Sequence, residues 1–196
     1  MTQSSPSASR VAVWSAMAEH FLDTETRQDL PLTALRCLEA GLSPDEARQI
    51  WQHEVTPAVG FNLRSLAGEW AFWDTDWLVA RIERARERWW NRSRCFARYR
   101  WPAASGEWLT IERCMQHLLT AAPATRALLA QDLACLARHC FDFHPSHLAE
   151  LEPEARARIS ALLPEPFLHL MRPALLSRER PFAKRRLQAA LEQVSP

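Results

Sequence analysis

A chain of 196 residues, 47% hydrophobic and 24% charged, is long enough to bury a core without disulfides or metal. Four glycines and a single tyrosine are scarce for a sheet-rich fold and point to an all-α protein. The net charge of +1 argues against a surface that is basic throughout, as a dedicated nucleic-acid domain would have.

That small net charge hides a polarity. From Glu19 to Asp76 there are eleven acidic and four basic residues, whereas Arg81 to Trp101 holds eight arginines against two glutamates. Lys184 is the only lysine, so positive charge is carried almost wholly by arginine, whose planar fork suits carboxylates, phosphates and aromatic faces.

Residues 1–9 are polar and read as a disordered start. Val13, Met17 and Phe21 recur at helical spacing and predict a helix over 10–22. The apolar run from Val11 to Ala18 is too short for a secretory signal and has no basic segment before it. A second helix is expected over 30–40, closed by Gly41. Ser43-Pro44-Asp45-Glu46 is a start signal: Ser as N-cap, Pro at the first helical position, Glu three residues on. The helix it opens should reach Val55 and be stopped by Pro57. A short helix is expected near 61–67, closed by Gly68. Asp74 then caps a long helix over 75–92.

Residues 93–108 contain Pro102 and Gly106 and read as a linker. Thr110 is taken as the cap of a helix to about 121, and another helix follows over 124–140. Prolines at 145, 153, 164, 166, 173 and 181 divide the remainder into short helices, the last over 181–193. No fixed-period repeat is present. The expectation is a compact helical bundle of about eight to ten helices in two small lobes, 10–92 and 109–196.

Leu22-Asp23-Thr24-Glu25, the run Glu54-Val55-Thr56-Pro57-Ala58-Val59-Gly60-Phe61-Asn62-Leu63, Ser65-Leu66-Ala67-Gly68-Glu69-Trp70-Ala71 and Trp77-Leu78 resemble a small family of uncharacterised bacterial proteins. The resemblance spans roughly residues 12–84. It implies a bacterial cytosolic protein and brings no catalytic residue with it.

Two constellations are candidates for function. Trp70, Trp73 and Trp77 fall at i, i+3 and i+7 and can stack along one face, as a core aromatic box or as a ligand cage. On the helix from 75 onward, Leu78, Ile82, Ala85 and Trp89 form an apolar seam. Arg81, Arg84, Arg88 and Arg92 line up beside it, with Trp90 and Arg94 on the far side. Glu83 can reach Arg86, and Glu87 can reach Arg84. Three readings fit this stripe: a solvated face bordering the core, a docking surface for an acidic protein or for the chain's own acidic half, and a nucleic-acid surface with Trp90 stacking on bases.

The densest group of reactive side chains is Arg138-His139-Cys140-Phe141-Asp142-Phe143-His144-Pro145-Ser146-His147. Its spacing matches no zinc pattern, and a Cys140–His144 pair lacks a recognisable oxyanion partner. Glu54, Glu69, Asp74 and Asp76 can form an acidic site, although capping accounts for Asp74 more simply. Five cysteines in no pairing pattern argue for reduced thiols in a cytosol. Phosphate loops, dinucleotide fingerprints, nucleophile elbows and zincin motifs are all absent. The sequence therefore predicts a cytoplasmic, non-enzymatic protein-binding module with no cofactor, no metal and no membrane span. An immunity or antitoxin-like protein is one form of it, and a nucleic-acid-binding regulator is the alternative.

Overall fold

The computed structural model describes residues 6–22, 24–64, 72–87, 105–141, 152–161 and 164–177, and among these the secondary structure is helical with no strand. The chain is all-α and divides into two compact units, one of residues 1–24 and 36–105, the other of residues 25–35 and 106–196. Residues 25–35, placed by sequence in the N-terminal lobe, thus belong with the C-terminal helices, and the boundary falls inside a helix.

In the first unit, α1 (Ala8–Ala18) starts two residues earlier than the hydrophobic spacing indicates, because Ser7 caps it by accepting from the Arg10 N–H at 3.2 Å. Val13, Trp14, Met17 and Ala18 form its buried stripe. The helix tightens into a 3-10 turn at Glu19–Phe21, which keeps Phe21 on the same buried side. Carbonyls at this end are taken by side chains from further along: Trp73 Nε1 donates to Ala18 O at 2.9 Å, and Asn62 Nδ2 donates to Phe21 O at 2.6 Å.

α2 (Leu30–Glu39) closes as expected. Gly41 sits at φ +75°, the Gly41 N–H reaches Leu38 O, and the Leu42 N–H reaches Cys37 O. This pair of bonds is the Schellman closure, which calls for a left-handed residue and so for glycine. α3 (Pro44–Ile50) opens on a complete capping box, with Ser43 Oγ accepting from the Glu46 N–H and Glu46 Oε2 accepting from the Ser43 N–H.

Pro57 does not stop the helical path. A π-helical turn at Trp51–Val55 leads into α4 (Thr56–Val59) and a 3-10 turn at Gly60–Arg64. Proline lacks an N–H, and its ring crowds the carbonyl four residues back. The wider π turn just before it re-spaces the carbonyls, so the chain stays helical. Trp51 and Val55, with Ala58 and Val59 after them, remain buried through the change of pitch. α5 (Thr75–Glu87) follows, capped by Asp74, whose Oδ1 accepts from the Trp77 N–H at 2.8 Å.

In the second unit, a 3-10 turn at Arg27–Asp29 precedes the first residues of α2 and packs against α7 (Pro123–Phe141). The Arg27 guanidinium pairs with Glu25, lies 4.6 Å from the centre of the Phe141 ring, and reaches Ala174 O at 3.5 Å. Arg138 of α7 lies 3.8 Å from Asp29.

α6 (Ser105–Thr120) starts inside the stretch read as a linker, and Trp108 is buried on it beside Ile111, Cys114, Met115 and Leu118. Thr110 is therefore an interior residue of α6 and not its cap. Its hydroxyl donates to Gly106 O and accepts from the Ala174 N–H, both at 3.1 Å. Arg113, one turn on, donates to His169 O at 2.9 Å. Both contacts serve α9 (Pro164–Ser177), which carries Pro173 in its interior. Pro173 cannot donate to His169 O, four residues back, and Arg113 takes that carbonyl instead. Between them, α8 (Pro153–Ala161) ties back to α7 through Arg158, which forks onto buried Asp132 at 3.1 and 3.4 Å. The expected last helix at 181–193 and the expected continuation of the helix from 88 to 92 lie outside the described residues.

Candidate functional site

α5 has three faces. Leu78, Ile82 and Ala85 are buried, as the wheel requires. About 100° round the helix, Trp77, Arg81 and Arg84 line a cationic and aromatic side. Asp76, Glu83 and Glu87 make an acidic strip on the outer face, roughly opposite the seam and next to the cationic side.

The cationic side is a ladder of planar groups. Trp73 stacks on Trp77 with ring centres 5.5 Å apart and planes 3° from parallel. Arg81 lies over Trp77 at 6.0 Å and over Phe61 at 5.2 Å, and its Nε donates to Ala58 O at 3.1 Å. Arg81 is thus committed to its own unit, where it takes a carbonyl of α4. Arg84 differs. It is exposed, and no carboxylate pairs with it among the described residues. The expected Glu83–Arg86 pair forms at 2.8 Å, whereas Glu87 does not pair with Arg84. Close to this ladder in sequence, Phe72 is 75% exposed and Phe61 37% exposed. Arg88, Trp90, Arg92 and Arg94 of the predicted stripe, and Trp70 of the predicted box, lie outside the described residues.

A second cluster was not foreseen as a unit. Glu54, turned toward α1 by the π turn, accepts from Arg10 at 2.5 Å and from the indole N–H of Trp14 at 2.7 Å, and Arg86 stands 3.8 Å away. Arg10 and Arg86 both lie over the buried Trp14 ring, at 5.8 and 5.7 Å. Glu54 is therefore spent on its own unit and is not part of an open acidic site. Asp74 is the helix cap, Asp76 is exposed, and Glu69 lies outside the described residues. The i, i+4 spacing of Arg10 and Trp14 on α1 was the available sequence signal, but it does not say where the facing carboxylate comes from.

The His139–His147 group is only partly described. Cys140 is a buried thiol at the end of α7, and Asp142 to His147 lie outside the described residues. Among the described residues, no group of three or more His, Cys, Asp or Glu could hold a metal ion. Cys37, Cys114 and Cys135 are also free thiols, and burial pushes Cys37 and Cys114 up to about 12. His20, buried beside Trp51, is brought down to about 4 by the same desolvation. No helix among the described residues is long and apolar enough to cross a membrane.

Against this geometry, a family profile described as a domain of unknown function, DUF7079, matches residues 8–120. The chain belongs to the DUF7079 family. The match begins at α1 and ends with α6, a wider span than the 12–84 suggested by the quoted motifs. The DUF7079 region thus includes the whole Trp73–Trp77–Arg81 ladder and the Glu54 cluster. No curated protein and no solved structure matches the chain.

Proposed function

We propose that this DUF7079 protein is a non-enzymatic, cytoplasmic protein-binding module whose contact surface is the Phe61, Trp77 and Arg84 side of the first unit. The observation that supports this reading is Arg84: an exposed guanidinium without an ion-pair partner among the described residues, one turn along α5 from the Trp73–Trp77–Arg81 ladder and its exposed Phe61. Arginine and aromatic side chains supply most of the energy at protein interfaces, and the free fork of Arg84 suits a carboxylate on an acidic partner. An immunity or antitoxin-like role, in which the partner is neutralised by covering its surface, is the specific form we favour. Free thiols suit a reducing cytoplasm.

The test is a quantitative pull-down from native bacterial lysate, treated with nuclease, comparing the wild-type chain with Arg84→Glu. One stoichiometric protein held by wild type and lost with Arg84→Glu supports the reading. Recovery that vanishes on nuclease treatment, with an affinity falling steeply with salt, would favour a nucleic-acid-binding regulator in its place. A partner held equally by both chains would remove Arg84 from the interface.

A further inference from the structure

The outer ridge of α5 carries two opposite charges placed symmetrically about a small residue. Asp76 and Arg84 stand four residues to either side of Ala80, and all three are exposed. At about 100° per residue they fall on one i, i+4, i+8 ridge, with the charges roughly 6 Å along the axis from Ala80. Glu83 is occupied by Arg86, but neither Asp76 nor Arg84 has an ion-pair partner among the described residues.

We propose that this ridge binds a second copy of the chain, through an antiparallel pairing of α5 with α5 about a two-fold axis at Ala80. A two-fold interface needs a patch complementary to itself, so that residue i meets j and j meets i. Reversing α5 about Ala80 sets Arg84 beside Asp76 of the second copy, and symmetry gives the same pair twice. The methyl side chain of Ala80 lets the helix axes approach closely where they cross. Charge complementarity favours a second copy over a uniformly charged surface centred on Ala80. A uniformly acidic surface centred there would meet Asp76 and Glu87, and a uniformly basic one would meet Arg84. Half-buried Trp77 flanks the ridge and adds apolar area.

One helix pair covers less than the roughly 800 Å² per partner of a standard stable interface, so the dimer is weak and reversible. This inference does not rest on the foreign-partner reading. The two share Arg84, and so a second copy and a foreign partner exclude each other there.

Sedimentation velocity of the full chain, from micromolar to near-millimolar concentration, tests it without any other protein. The wild type should show a monomer–dimer equilibrium weakened by added salt. Arg84→Glu and Asp76→Arg should each weaken it at least about tenfold, because each turns two attractions into two repulsions. Combining Asp76→Arg with Arg84→Asp should restore association to near the wild-type level. If one single variant fails to fold by circular dichroism, the other carries the comparison. A wild-type chain that stays monomeric throughout overturns the proposal. So does a dimer indifferent to both single substitutions, or a charge-swapped chain no better than either.

Discussion

Single buried side chains set the responses that are simplest to measure. His20 titrates at about 4 in the folded protein against 6.5 for an unburied imidazole, because burial disfavours its charged form. Above pH 6.5 it is neutral in both states and adds no pH dependence. As pH falls from 6.5 toward 4, the unfolded chain takes up a proton that the folded one refuses, and stability declines. The loss should reach about 2 kcal/mol by pH 5. Urea melts at pH 7 and pH 5 should show that His20→Gln removes this part of the pH dependence, whatever its effect at pH 7. Cys37 and Cys114 make a second case. With thiols raised to about 12 by burial, they should resist iodoacetamide in the native protein and react once it is unfolded, as peptide mass spectrometry can read. Thr110→Val keeps the shape of the side chain and removes a buried hydroxyl joining Gly106 O to the Ala174 N–H. It should cost about 1–2 kcal/mol in a urea melt, with Thr110→Ser recovering part of the loss.

At the scale of the element, sequence signals were legible where the chemistry is local. The Ser43–Glu46 box, the Gly41 closure and the Asp74 cap each depend on residues within one turn, and all three form as read. Gly41→Ala meets no atom within 4 Å, so its cost is the left-handed backbone alone, roughly 1–2 kcal/mol in a thermal or urea melt. Signals failed where the backbone changes pitch around a local defect or a distant element answers it. Pro57 reads as a stop, yet a π turn carries the helix past it. Thr110 reads as a cap because threonine favours that place, but its hydroxyl serves α9 from 64 residues away. Glu54 reads as a free acid because its partners are 40 and 44 residues off on α1. Glu54→Ala would strip Trp14 and Arg10 of their acceptor, and should cost about 2–3 kcal/mol in a urea melt, since both bonds run to a carboxylate and the indole is buried.

For the whole molecule, the all-α class, with no strand among the described residues, follows from composition, while the division into units does not. Residues 25–35 belong with the C-terminal helices because Arg27 and Asp29 meet Phe141 and Arg138 of α7, contacts that no local pattern encodes. The DUF7079 match ends at residue 120 and so leaves out α7, on which the turn at Arg27–Asp29 rests. The candidate surface was half legible. The register of α5 placed Arg81 and Arg84 on one side, but only the structure separates them, since Arg81 is held by Phe61, Trp77 and Ala58 O. The central claim is that Arg84 is the free arginine of this side among the described residues and is used for binding. Arginine-specific labelling with a dicarbonyl reagent tests it most directly, read residue by residue in dilute free protein and again in complex with the captured partner. The account predicts that Arg84 reacts well before Arg81 in the free chain and is protected in the complex. Equal reactivity of the two, or an Arg84 that stays reactive in the complex, would contradict it.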